Sequence, residues 1–294
     1  MKLEDIIPLK EGGAATSEWN TTRIHNADIP ATIKHFSQLS GIPVRDLHAV
    51  GSTGKTPSSG DIDLALDASK YDIDILHNKI MDALNGEGVV NKNTKIASYA
   101  VPIRGKDDKG KVQVDLMYGG NPKWMKFAYH SEGEGSKYKG AVRAILLSSV
   151  AAAMNKKGTD HFEWDGEELT IRAGRTVDLS QGLRRIFQYR PKRKDGKGYT
   201  KSMKSIPIED FKKMFPNVEV TGGQVIIDDP EEVVKALFGS AVKPSHVNTA
   251  EEVIQLIKKK FDEETQDKIF KIATARAKSI VGKMKLPPEM TTDA

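Results

Sequence analysis

Two aspartates a single residue apart, Asp61 and Asp63 in the run DIDLALD, have the types and the spacing to do chemistry. On an extended strand residues i and i+2 share a face, so both carboxylates project together while Ile62 and Leu64 point the other way, into a core. Carboxylates side by side repel each other. They become favourable together when a divalent cation lies between them, and hard oxygen ligands of this kind suit Mg²⁺ or Mn²⁺. A third carboxylate on a neighbouring strand would complete a cradle for two ions. Asp115 in KVQVDLMYG is placed to supply it, because period-two alternation puts Val112, Val114 and Leu116 on one face and Gln113, Asp115 and Met117 on the other. The bland reading of Asp61 and Asp63 is the exposed polar face of an edge strand, and Asp115 taken alone has a similar one.

Just upstream, GSTGKTPSSG contains Gly54-Lys55-Thr56, which invites a phosphate-binding P-loop. That motif needs glycine five positions before Gly54, where this chain has Ala49. The P-loop lysine also opens a helix, whereas Pro57 and Gly60 follow here and would interrupt one. Lys55 is therefore read as a loop cation. Ser59 either orients Asp61 or ends the loop. Asp72 and Asp74 repeat the spelling of the aspartate pair but fall in a helical segment, where i and i+2 diverge, and are expected to face solvent. Seven histidines include no close metal-binding pair, and Ser148-Ser149 lies in an Ala-rich helix without a nucleophile elbow.

The elements that must position these residues read as α+β. An amphipathic helix is expected over Ala27 to Leu39, a short strand over Leu47 to Val50, a half-buried strand over Asp61 to Leu66, and a helix over Lys70 to Leu84. Two further strands, Lys95 to Arg104 and Lys111 to Tyr118, flank the turn-forming KDDKG and should make a hairpin. A Gly-rich break from His130 to Gly135 then leads to an apolar helix beginning near Ser136. Asp165-Gly166 suggests another hairpin between HFEW and ELTIRA, and helices are expected over Glu231 to Phe238, Ala250 to Phe261 and Glu263 to about Lys283, before a frayed LPPEMTTDA tail. Two parts follow: residues 1–130 with the acidic motif, and a mostly helical region over 131–294.

A strand ending in Gly51-Ser52, a short loop, the Asp61-Ile62-Asp63 pair between apolar residues, and Asp115 within VQVDLM together resemble the DNA polymerase beta-like nucleotidyltransferase superfamily. The likeness covers roughly Ala27 to Gly119, under half the chain. It implies a catalytic domain built on a mixed sheet, with a nucleoside triphosphate as substrate and two Mg²⁺ or Mn²⁺ ions as cofactors. By the same resemblance Asp61 and Asp63 bridge both ions, Asp115 binds the ion at the acceptor hydroxyl and helps deprotonate that hydroxyl, and Gly51 and Ser52 contact the triphosphate. In this superfamily a second, mostly helical domain supplies further nucleotide contacts, which makes Lys137 and Lys139 candidates for the triphosphate tail. Adjacent lysines at a helix N-terminus also form an anion site on physical grounds. Tyr138 either stacks on a base or packs in the core, and His130 either binds phosphate or is structural.

Composition sets the bounds on partners. With 294 residues, 38% of them apolar and 29% charged, the chain has enough material for a core. No run approaches the length needed to span a bilayer, the N-terminal MKLEDIIPLK lacks a signal peptide's apolar stretch, and a cytoplasmic location is expected. The absence of cysteine removes disulfides, thiolate nucleophiles and Cys-ligated zinc. From Leu183 to Ser205 the segment LRRIFQYRPKRKDGKGYTKSMKS sets a dense run of lysines and arginines against a lone Asp195. It reads either as a solvated loop or as a polyanion surface with Phe187, Tyr189 and Tyr199 available for stacking. Taken with the resemblance, the expected acceptor is RNA or another polyanion such as DNA, with an RNA 3′ end put first. A small molecule, a protein side chain, or a non-catalytic nucleic-acid-binding role remain the alternatives.

Overall fold

Alternation along DIDLALD sets the architecture. In the computed structural model, which describes residues 16–92, 94–132, 136–138, 140–154, 160–164, 167–189, 198, 204–207, 213 and 226–280, this run is strand β4 (Asp61–Asp67). The preceding elements are β1 (Ile24–His25), α1 (Ile29–Ser40), β2 (His48–Ala49) and β3 (Ser58–Ser59). After β4 come α2 (Ile73–Ala83), β5 (Gly88–Asn91), β6 (Ile96–Pro102), β7 (Lys111–Gly119) and α3 (Pro122–Ala128). A mixed five-stranded sheet has the order β2-β4-β7-β6-β5, with β4 and β7 parallel and the other neighbours antiparallel.

Each face of that sheet has its own cover. Ile62, Leu64 and Leu66 of β4 join Val112, Val114 and Leu116 of β7 against Phe36 of α1 and Leu76 and Ile80 of α2. Those helices form where the local sequence asks for them. Helix α1 carries Pro30 in its first turn and stops at Gly41, which takes the left-handed conformation at φ 75°. Asp72 caps α2 by accepting from the N–H groups of Asp74 and Ile75, and Asp74 pairs with Lys92 at 2.8 Å. The expected helix over Lys70 to Leu84 thus starts later, because Asp72 terminates rather than extends it.

The opposite face is divided. Ala65 and Met117 pack with Trp124 and Met125 of α3 and with Val142, Ile145 and Leu146 of α4 (Gly140–Ala153). Asp61, Asp63 and Asp115 occupy the same face further along, so one side of one sheet passes from apolar to acidic. Helix α4 is tied in by Arg143, 1% exposed, whose guanidinium donates to the carbonyls of Val247, Phe127 and Ala128 and lies 4.5 Å from the centre of the Phe127 ring. Burial lowers its pKa to about 10, with Glu252 and Glu132 acting against the shift.

Beyond α4 the chain forms β8 (Asp160–Trp164), β9 (Glu167–Asp178), β10 (Gly182–Tyr189), β11 (Lys204–Pro207) and β12 (Ile226–Ile227), followed by α5 (Pro230–Phe238), α6 (Ala250–Lys260) and α7 (Glu263–Ile280). The strands make a second, antiparallel sheet ordered β11-β10-β9-β8, with β12 also on β10. The expectation of a mostly helical 131–294 region included only the β8–β9 hairpin of this sheet. The cations of β10 obscured it, since Arg184 and Arg185 read as solvated loop while the backbone pairs with β9 along its whole length. The turn at Asp165-Gly166, the Gly133–Gly135 break and the LPPEMTTDA tail lie outside the described residues.

Candidate metal centre

Parallel pairing of β4 with β7 places Asp61 opposite Gln113 and Asp63 opposite Asp115. Carboxylate oxygens of Asp61, Asp63 and Asp115 all lie within 4.8 Å of one another, and each residue is half-buried. The sheet therefore gathers the three acidic residues singled out from sequence. Strand β4 has β7 along its whole length on one side; on the other, β2 pairs only with Leu64 and Ala65, and Val50 and Thr53 of the following loop take over at Asp63, so Asp61 and Asp63 are half-buried rather than fully exposed.

The Gly51 loop is folded against this site. Asp63 is held through its backbone: Val50 N–H donates to its carbonyl at 3.0 Å, and its own N–H donates to the Thr53 hydroxyl at 2.8 Å. Turns within the loop are closed by Thr53 N–H to Val50 O and Lys55 N–H to Ser52 O. Gly51 sits at φ 62°, and a β-carbon there would lie 2.2 Å from an Asp63 carboxylate oxygen. Glycine is required twice over, for the left-handed backbone and for the closeness of the acid. Lys55 is followed by strand β3 and not by a helix, so the Gly-Lys-Thr run lacks the P-loop's phosphate-cradling helix.

Around Asp115 the supports are side chains. The Gln113 amide donates to both of its oxygens at 2.9 Å, and Ser98 lies directly opposite on β6. Burial is the main force raising the Asp115 carboxyl to about 6; Ser98 and Gln113 hold it down, and Asp61 pushes it up. Asp63 is raised well above the usual carboxylate range by burial and then by the charges of Asp61 and Asp115. Three convergent carboxylates, two of them with raised proton affinity, are a donor set that fits divalent cations.

The sign of the consequence for stability follows directly. Asp63 and Asp115 bind a proton more tightly in the folded chain than in the unfolded one, so what they contribute is fully present below the ordinary carboxylate value of about 4 and is lost as pH rises through their raised values, about 6 for Asp115. Divalent cations should remove the repulsion. The stabilisation by Mg²⁺, measured as the shift in thermal midpoint against EDTA, is expected to be larger at about pH 8 than at about pH 5. Equal shifts at both values would show that these carboxylates do not hold the ion.

Other residues nominated from sequence lie in different settings. Ser52 is half-buried in the Gly51 loop, beside the acidic site. Ser59 is buried, and its hydroxyl has no hydrogen-bond partner among the described residues, so it closes the loop in the β3 pairing and does not orient Asp61. The apolar helix begins at Gly140, after Lys137, whose N–H donates to a Glu251 carboxylate oxygen at 2.9 Å while its side chain is exposed. Ser136 donates to the other oxygen of Glu251, so an acidic side chain of α6 already occupies this backbone. Tyr138 packs against the α3–α4 cluster. Lys139 lies outside the described residues, as do Arg190, Lys192, Arg193, Lys194, Lys197, Tyr199 and Lys201 of the basic segment and the side chains of Arg185, Phe187, Tyr189 and Lys204.

From sequence Lys55 is a loop cation with at most a phosphate to assist, and the structure gives it partners within the chain. Its ammonium donates to the Ser131 carbonyl at 2.6 Å and lies 3.4 Å from His130 Nδ1, while His130 Nε2 lies 2.8 Å from Glu132. Burial pushes the Lys55 ammonium below its ordinary value, partly offset by Glu132. The Gly51 loop is in this way tied to the start of the segment joining α3 to α4. Thr53 and Gln113 were also missed as supports. For Gln113 a signal existed, since alternation puts it on the Asp115 face; for Thr53 only the loop's conformation reveals the contact.

The chain matches no protein-family model, and no curated protein is significantly similar to it. No described helix is long and apolar enough to cross a membrane.

Proposed function

We propose that this chain is a metal-dependent nucleotidyltransferase that moves a nucleoside monophosphate from a nucleoside triphosphate to a hydroxyl acceptor, with an RNA 3′ end as that acceptor. On this reading the five-stranded mixed sheet is the core of a nucleotidyltransferase fold, and the helices and second sheet that follow flank its cleft. The observation that carries the reading is the convergence of Asp61, Asp63 and Asp115 within 4.8 Å beside a glycine loop.

Asp61 and Asp63 would hold two Mg²⁺ or Mn²⁺ ions jointly, and Asp115 one of them. The chemistry supplied by ions bound there is neutralisation of the triphosphate and of the departing pyrophosphate, together with acidification of the acceptor hydroxyl. Gly51 lets the backbone come close to the phosphates, and Ser52 adds its hydroxyl and N–H as donors. A carboxylate oxygen of Asp115 accepts the acceptor hydroxyl's proton as the new P–O bond forms and the bond to pyrophosphate breaks. The Arg184 to Lys204 segment supplies the charge that attracts a polyanion.

Incubation with each labelled nucleoside triphosphate, Mg²⁺ and total RNA is expected to label RNA, and Asp61→Ala combined with Asp63→Ala to abolish the labelling. Activity surviving that pair of changes would overturn the metal assignment. Label appearing on the protein or on an added small molecule, with RNA untouched, would move the acceptor to one of those classes. RNA binding that weakens with salt and vanishes when the Arg184 to Lys204 charges are neutralised would keep it on nucleic acid.

A further inference from the structure

Gln113 is a costly residue to place inside a sheet, and the chemistry above does not use it. It is 3% exposed, on the same face of β7 as Asp115 and two residues before it. A buried amide is tolerated only when its bonds are made. Here they are: Nε2 donates to both Asp115 oxygens at 2.9 Å, and Oε1 accepts from the Thr16 N–H at 3.1 Å and from the Thr16 hydroxyl at 2.9 Å. The network also fixes which way the amide points. Turned over, Oε1 would confront two carboxylate oxygens while the NH₂ group confronted the N–H of Thr16.

Thr16 is a firm anchor for this arrangement. It is fully buried, its hydroxyl lies 3.2 Å from that of Thr21, and the next residue, Thr22, donates its N–H to Lys111 O at the start of β7. The segment over residues 16–22 thus lies along the strand that carries Asp115. An apolar side chain at 113 would fill the same space without reaching the carboxylate.

We propose that Gln113 is a positioning residue for the carboxylate site, holding Asp115 by both oxygens in the orientation that faces Asp61 and Asp63, with Thr16 as its outer anchor. This inference rests on the two-ion reading of the site. Hydrogen-bond partners of metal ligands govern affinity because they set a ligand's orientation and basicity before the ion arrives.

Mn²⁺ titration of the full chain by calorimetry tests it, with crystal structures of the metal-free wild type and variants as a second readout. Gln113→Met keeps the length of the side chain and removes the donors; it is expected to weaken Mn²⁺ by about 10–100-fold and to let the Asp115 carboxylate rotate. Thr16→Val, which removes only the hydroxyl, should act in the same direction with a smaller loss. Mn²⁺ affinity within about twofold of wild type and an unmoved Asp115 in Gln113→Met would overturn the proposal. Should Gln113→Met fail to fold, Thr16→Val decides by the same two readouts. A wild type that binds no Mn²⁺ would sink the two-ion reading instead, and the orientation of Asp115 in metal-free crystals would then decide the role of Gln113 alone.

Discussion

Replacing Asp63 with Asn is expected to make the metal-free protein more stable while removing its capacity for divalent ions. The two effects have one cause. Burial and the charges of Asp61 and Asp115 all resist ionisation of Asp63, so at neutral pH its carboxylate burdens the empty fold. An amide of the same shape carries no charge, and its NH₂ group is a donor that neighbouring carboxylates accept. A gain of about 1–2 kcal/mol is expected, which for a chain of this length is on the order of 1.5–3 °C in thermal midpoint in the presence of EDTA. Mn²⁺ affinity, in contrast, should fall by more than the about 10–100-fold that follows loss of a ligand's hydrogen-bond partner, because a ligand itself is gone. The opposed signs separate this site from an ordinary polar surface: an exposed aspartate changed to Asn moves neither quantity by much. Thermal melts with EDTA and with Mn²⁺, on wild type and variant side by side, check both. A variant that is less stable without metal, or that still binds Mn²⁺ as well as wild type, would remove the carboxylate trio as an ion site.

How much of this was legible beforehand depended on the reach of the signal. Alternation is local, so β4, β7 and the shared face of Asp61 and Asp63 follow from two short runs of residues. That Asp115 joins them requires β7 to lie next to β4, in parallel and in register, although the chain between them forms α2, β5 and β6. Alternation alone does not give that adjacency; the resemblance carried by the motifs supplies it as an expectation. Contacts made by loops and by distant segments gave no such lead. Thr53 reaches the Asp63 N–H only because the Gly51 loop doubles back, and Thr16 meets Gln113 across 97 positions of sequence. The second sheet escaped for another reason: on β10 the charges of Arg184 and Arg185 outweighed a weak alternation, while backbone pairing with β9 needs no particular side chain.

Gly51→Ala should disable the same centre without touching any carboxylate. At φ 62° an L-residue is strained, which alone costs on the order of 1 kcal/mol, and the added methyl would stand 2.2 Å from an Asp63 oxygen, well inside contact distance. Something must then move. Asp63 is pinned through its backbone to Val50 and Thr53, so the displacement falls on its carboxylate or on the loop that carries Ser52. Either outcome would spoil the proposed ion cradle or phosphate approach, and on that proposal labelling of RNA is expected to fall by about 100-fold or more, since a shift of about 1 Å in a positioned group is enough for that. Gly54→Ala supplies the matched control. Gly54 has a similar backbone, at φ 75°, but its nearest neighbour to an added methyl is Asn26 Oδ1 at 3.5 Å, an ordinary contact. The two variants should therefore lose comparable stability from backbone strain, yet only Gly51→Ala should lose Mn²⁺ binding. Equal Mn²⁺ affinities in the pair would mean that the closeness of Gly51 to Asp63 has no bearing on the ions.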